Sequence, residues 1–179
     1  GKEDLFITGG AYSSPYRISK LYRNNGNGSF TEIYGANFQT LSASFGAWGD
    51  YDNDGFKDLL LCGMPYPSLT TPTTLLYKNN GDNTFTVQGS GITGVSYCSI
   101  AWGDYDKDGY LDVLISGQSA AGKITSIYHN SGNGTFTDIE ANIAGTYLGS
   151  VDWGDIDDDD YLDVLVTGWV STSPYAYTE

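Results

Sequence analysis

Four aspartates stand at Asp50, Asp52, Asp54 and Asp58, the first, third, fifth and ninth positions of "DYDNDGFKD", with Gly55 at the sixth. The spacing returns as Asp104, Asp106, Asp108 and Asp112 around Gly109, and again as Asp155, Asp157, Asp159 and Asp163. Alternate carboxylates on a tight turn bring their oxygens towards one point. The glycine permits the bend, and the backbone carbonyl of Phe56, Tyr110 or Tyr161 at the seventh position can add a further oxygen. This is the donor set of a hard-cation cage. Without a cation, four carboxylates within a few ångströms of one another should repel strongly.

Calcium suits such a cage better than magnesium, which keeps several waters, or zinc, which favours His and Cys. An EF-hand opens with the same DxDxDG but needs Glu at position twelve and flanking helices. Position twelve here is Leu61, Ile115 or Val166, in strand-like runs. The third loop has Asp160 where the others have glycine. Asp tolerates a left-handed backbone better than most residues, so this site is expected to be occupied but strained or weaker. Asp4 is a partial fourth site, because "GKED" aligns with "GFKD" of residues 55–58.

The elements that position these loops are legible in a repeat. "WGDYDNDGFKDLLLCG" from Trp48, "WGDYDKDGYLDVLISG" from Trp102 and "WGDIDDDDYLDVLVTG" from Trp153 align without gaps, at spacings of 54 and 51 residues. A second block keeps the same beat: "LYRNNGNGSFT" from Leu21, "LYKNNGDNTFT" from Leu76 and "IYHNSGNGTFT" from Ile127. Each period predicts four short strands. One runs up to the Trp, one is "DLLLCG" or its equivalent, one ends in "LY" or "IY", and one begins "FT" after a hairpin turn. The fold class predicted is all-β, with β-propeller blades of four antiparallel strands. About 3.4 periods are present, fewer than a closed propeller usually holds. The expected division is an incomplete blade over 1–40, blades over 41–90 and 91–142, and an incomplete blade over 143–179, as a fragment of a larger propeller.

Composition agrees. Twenty-four Gly and fifteen Tyr in 179 residues favour turns and strands. The net charge is −14, yet thirteen of the 22 acids occupy ligand positions, so the excess is mostly metal-site charge. Eight scattered bases form no positive stripe, which argues against nucleic acid or an anionic membrane as partner. No apolar run approaches a membrane span, and the first residues lack the shape of a signal peptide. Cys62 and Cys98 each lie in an apolar run and are expected to be buried free thiols. His129, the sole histidine, aligns with Arg23 and Lys78 and is expected to face outward among solvated bases. Trp48, Trp102 and Trp153 are expected to pack in the core or between blades.

"AWGDYDNDGFKDLLLCG" followed by "LLYKNNGDNTFTV" resembles the FG-GAP (VCBS-type) repeats of integrin α-subunit-like propellers, over nearly the whole chain. The resemblance implies extracellular or cell-surface, calcium-stabilised propellers acting in adhesion, ligand binding or scaffolding. The expected cofactor is therefore Ca2+ at about three sites, and abundant calcium points outside the cytosol.

Following the strands up and down puts the acidic loops on one face and variable connections on the other. Tyr12, Tyr16, Tyr66, Trp169 and Tyr175 fall in those connections, as a possible ligand face or as packing over strand ends. Asn27 and Asn133 open sequons at equivalent turns, where Asn-Gly is also good turn chemistry. No catalytic motif appears, so the expectation is a non-enzymatic adhesion, recognition or scaffolding module whose partner is a protein or glycan. The alternatives are a subunit of a secreted fibre or surface layer, bound to further copies of itself, or part of a carbohydrate-active protein.

Overall fold

The computed structural model describes residues 3–10, 17–67 and 71–170. Every element among the described residues is a strand. β1 (Leu5–Gly10), β2 (Arg17–Asn24) and β3 (Phe30–Ile33) form one antiparallel sheet. β4 (Leu41–Gly49), β5 (Asp58–Pro65), β6 (Thr73–Asn79) and β7 (Phe85–Gln88) form a four-stranded sheet in chain order. β8 (Ser96–Gly103), β9 (Asp112–Ser119), β10 (Gly122–Asn130) and β11 (Phe136–Asp138) form a second. β12 (Val151–Gly154) pairs with β13 (Asp163–Val166). These all-antiparallel sheets are propeller-type blades. No helix among the described residues is long and apolar enough to cross a membrane.

The second strand of each four-stranded blade is buried on both faces, which is why it reads as a continuous apolar run and not as an alternation. Leu59 and Leu61 of β5 face one way, into a core shared with Leu21 and Phe38 of the preceding blade. Leu60 and Cys62 face the other way, into a core with Val95, Cys98 and Ile100 of the following blade. Leu114 of β9 joins Val151 of β12 in the next seam. The hydrophobic core is thus a series of seams between blades.

The tryptophans close those seams. The Trp102 indole N–H donates to the Ala47 carbonyl of the preceding blade at 3.2 Å, and Trp153 donates to Ala101 at 3.3 Å. Each indole lies against a glycine, so closely that a Cβ on Gly49 would sit 2.8 Å from Trp102 and one on Gly103 2.7 Å from Trp153. β4 and β8 share a bulge, with Ala43 and Tyr97 holding positive φ of 47° and 48°, and Leu148, at the equivalent place ahead of β12, holds 54°.

The cysteines are not free thiols. Cys62 and Cys98 form a disulfide between β5 and β8. Each lies in an apolar strand as expected, but the two strands belong to neighbouring blades and face the same seam, which places the side chains together.

Candidate metal centre

Each acidic loop joins the first and second strands of a blade, and its backbone is built around its own carboxylates. The first aspartate accepts from two amides: Asp50 from Asp54 and Gly55 at 3.1 and 3.0 Å, Asp104 from Asp108 and Gly109 at 3.1 and 3.0 Å, and Asp155 from Asp159 and Asp160 at 3.1 and 2.8 Å. The fifth accepts from the seventh residue: Asp54 from Phe56, Asp108 from Tyr110 and Asp159 from Tyr161. Three loops of different sequence therefore share one hydrogen-bond pattern.

The ninth aspartate ties the loop to the sheet. Asp58 and Asp112 are fully buried. One oxygen of each accepts from the second loop residue, Tyr51 or Tyr105, and the other from an amide of the third strand, Asn79 or Asn130 at 2.8 Å. Asp4 accepts in the same way from the Asn24 amide at 2.8 Å. Burial pushes the Asp58 carboxyl up to about 6, with neighbouring Asp52 and Asp54 adding to the rise against its two backbone hydrogen bonds. Burial raises Asp112 as well. Asp163 is exposed and accepts from Ile156.

Where the loops differ is informative. Asp160 adopts φ of 69°, the left-handed conformation that Gly55 and Gly109 supply at 90° and 92°. The amide of Asp160 still reaches Asp155, so the change of residue leaves the loop fold intact. The seventh-position ring packs over the turn between the third and fourth strands: a Cβ on Gly81 would lie 2.7 Å from the Phe56 ring, and one on Gly132 2.5 Å from Tyr110. The loops and these turns therefore share one rim. Adjacent loops also touch, through the Asn53 amide on the Gly109 carbonyl at 2.8 Å and Lys107 over the Tyr161 ring at 4.1 Å.

Carboxylate oxygens converge in three groups: Asp50 with Asp52 and Asp58, Asp104 with Asp106 and Asp108, and Asp155 with Asp157 and Asp163. Within each group the donor atoms lie within 4.8 Å of one another, and Oδ1 of Asp52 is shielded from solvent with no hydrogen-bond partner among the described residues. An all-oxygen set with an orphaned carboxylate oxygen fits a hard divalent cation, so these clusters could hold a metal. Phe56, Tyr110 and Tyr161 are placed through their amides and rings.

Two residues missed as parts of the site come from the third strand. Lys78 does not face outward among solvated bases: its ammonium pairs with both Asp52 and Asp54. That contact raises the Lys78 pKa and holds Asp54 below the usual carboxylate range. The strong repulsion expected in this loop is therefore partly relieved by a cation of the chain itself. His129 is likewise turned inward, with Nδ1 3.2 Å from Asp106 and 3.5 Å from Asp112. Only Arg23 keeps the exposed disposition expected of all three, donating to Asn83 at 2.6 Å.

At the opposite ends of the sheets, Tyr66 is exposed beneath the Arg17 guanidinium at 4.6 Å, and Trp169 is exposed while its backbone pairs with Tyr147. Tyr12, Tyr16 and Tyr175 lie outside the described residues. An aromatic pair that the sequence reading passed over stands there too: Tyr97 and Tyr147 meet edge-on at 6.5 Å, with Lys123 over Tyr147 at 5.0 Å. Asn27 and Asn133 are exposed, and each side-chain oxygen accepts from the amide two residues on, as Asp82 does at the equivalent turn. Turn geometry accounts for both asparagines.

No curated protein matches the chain. A profile of FG-GAP-like repeats matches residues 1–61, 68–115 and 116–166. Those three matches take in the three acidic loops and most of the strands around them, and the chain accordingly belongs to the FG-GAP-like repeat family.

Proposed function

We propose that the chain is a non-enzymatic, calcium-stabilised propeller segment for adhesion, recognition or scaffolding outside the cytosol. One observation carries the reading. Three loops hold the same carboxylate-to-amide hydrogen bonds despite different sequences, leaving oxygens convergent in each. Calcium supplies the charge that such oxygens lack, and the ninth aspartate transmits its binding to the second and third strands. At free calcium about tenfold above Kd, each site would stabilise the fold by about 1.4 kcal/mol. The Cys62–Cys98 disulfide supports an oxidising compartment, where such bonds persist.

The exposed Tyr97 and Trp169, with the half-buried Tyr147 between them in chain order, favour a ligand met by aromatic faces at the rim opposite the loops, either a protein surface or a glycan. Calcium titration of the intact chain, with melting in calcium and in chelator, tests the cation reading. A marked fall in melting temperature on chelation is expected, with about one ion lost in Asp52→Ala, where Asp52 is one of the converging donors. An unchanged melting curve together with no calcium uptake would overturn it.

A further inference from the structure

The chain has a single histidine, and it stands on β10 where β6 carries Lys78. The two side chains meet their acidic loops differently. Lys78 brings a permanent positive charge onto Asp52 and Asp54. His129 brings a ring nitrogen that lies 3.2 Å from Oδ2 of Asp106 and 3.5 Å from Oδ1 of Asp112, all three atoms within 4.8 Å of one another.

That nitrogen, Nδ1, is shielded from solvent and makes no hydrogen bond among the described residues. In the neutral ring with its proton on Nε2, Nδ1 presents a lone pair to the space it shares with the two carboxylates. The surroundings hold the donors in place. Asp112 is fully buried and fixed by the Tyr105 and Asn130 amides. The Tyr105 ring meets the imidazole edge-on at 6.5 Å and is itself stacked on Trp153.

Two carboxylate oxygens and an imidazole nitrogen form a donor set of a different class from the all-oxygen cages. Calcium takes oxygen ligands, whereas first-row transition ions of borderline softness accept imidazole readily. We propose that Asp106, Asp112 and His129 Nδ1 form a site for a divalent transition metal ion of the zinc and cobalt class. The loop over 104–112 would then differ in ion preference from the loop over 50–58. The inference rests on the reading that these loops hold cations, and departs from it in the ion.

The test uses the whole chain freed of calcium, titrated with Zn2+ and followed through the ring protons of its one histidine. Wild type should take up Zn2+ with a clear shift of those resonances. His129→Gln, and His129→Lys, which installs the residue that β6 tolerates, should weaken Zn2+ by about tenfold or more. Unshifted ring protons in the wild type, or equal Zn2+ affinity in both folded variants, would overturn the proposal. Calcium titration without zinc separates the two readings: a chain that takes Zn2+ through His129 but no calcium refutes the calcium assignment and leaves this site standing.

Discussion

Cys62 and Cys98 are joined across the seam between two blades at the place where, one seam earlier, Thr8 and Ser44 share a hydrogen bond of 3.1 Å. In the repeat, Thr8 is the equivalent of Cys62 and Ser44 of Cys98. One pair of positions thus serves as a blade-to-blade fastener in two successive seams, polar in the first and covalent in the second. The bridge closes a segment with a sequence separation of 36 residues, so loop entropy assigns it about 3 to 4 kcal/mol. Urea unfolding of Cys62→Ser/Cys98→Ser, which rebuilds the hydroxyl pair, should show a loss of that order, less about 1 kcal/mol for the new hydrogen bond. A midpoint equal to that of the oxidised wild type would refute this account.

Lys78 competes with any cation for Asp52 and Asp54. Replacing it with Met should therefore have two opposite effects. The metal-free protein should lose stability, because the carboxylates lose their counter-charge. The loop over 50–58 should meanwhile bind calcium about tenfold tighter, equivalent to about 1.4 kcal/mol. Calorimetric titration of Lys78→Met against wild type measures the second effect, and an unchanged or weaker affinity contradicts it.

The raised pKa of Asp58 has a definite sign in chelator. With a folded value of about 6 above the ordinary carboxyl value of 3.8, the folded state holds the proton more tightly than the unfolded chain. The Asp58 contribution to stability is therefore full below about pH 4 and is lost as pH rises through about 6. Asp58→Asn has no proton to lose there. The stability gap between wild type and this variant, measured by urea unfolding in EDTA, should narrow between about pH 4 and about pH 6. A constant or widening gap would count against the buried, uncompensated carboxyl.

Three glycines at one repeat position make an internally controlled experiment on the seams. Gly49→Ala and Gly103→Ala force a Cβ into the Trp102 and Trp153 indoles, whereas at Gly154 nothing among the described residues lies within 4 Å of the same point. The first two substitutions should each cost about 1 to 3 kcal/mol. Gly154→Ala should stay within about 0.5 kcal/mol of wild type. Equal melting temperatures for all three variants would remove the indole–glycine contact from the account of blade stacking.

What the amino-acid order determined by itself was everything local to one repeat. Strands, hairpin turns and acidic loops follow from interactions within a few residues, and the gapless alignment of three copies multiplied each signal. Asp160 at a left-handed position and the apolar second strands are of this kind. The tertiary structure decided how one copy meets the next and how far a side chain reaches within a blade. Cys62 and Cys98 read as separate buried thiols, because nothing within either strand tells which blade faces which. Lys78 and His129 read as surface bases, because alternation along a strand says which side a residue leaves from and not what lies there. In both cases the deciding contact joins segments more than 20 residues apart in the chain. Only the stacking and twist of the sheets bring such segments together.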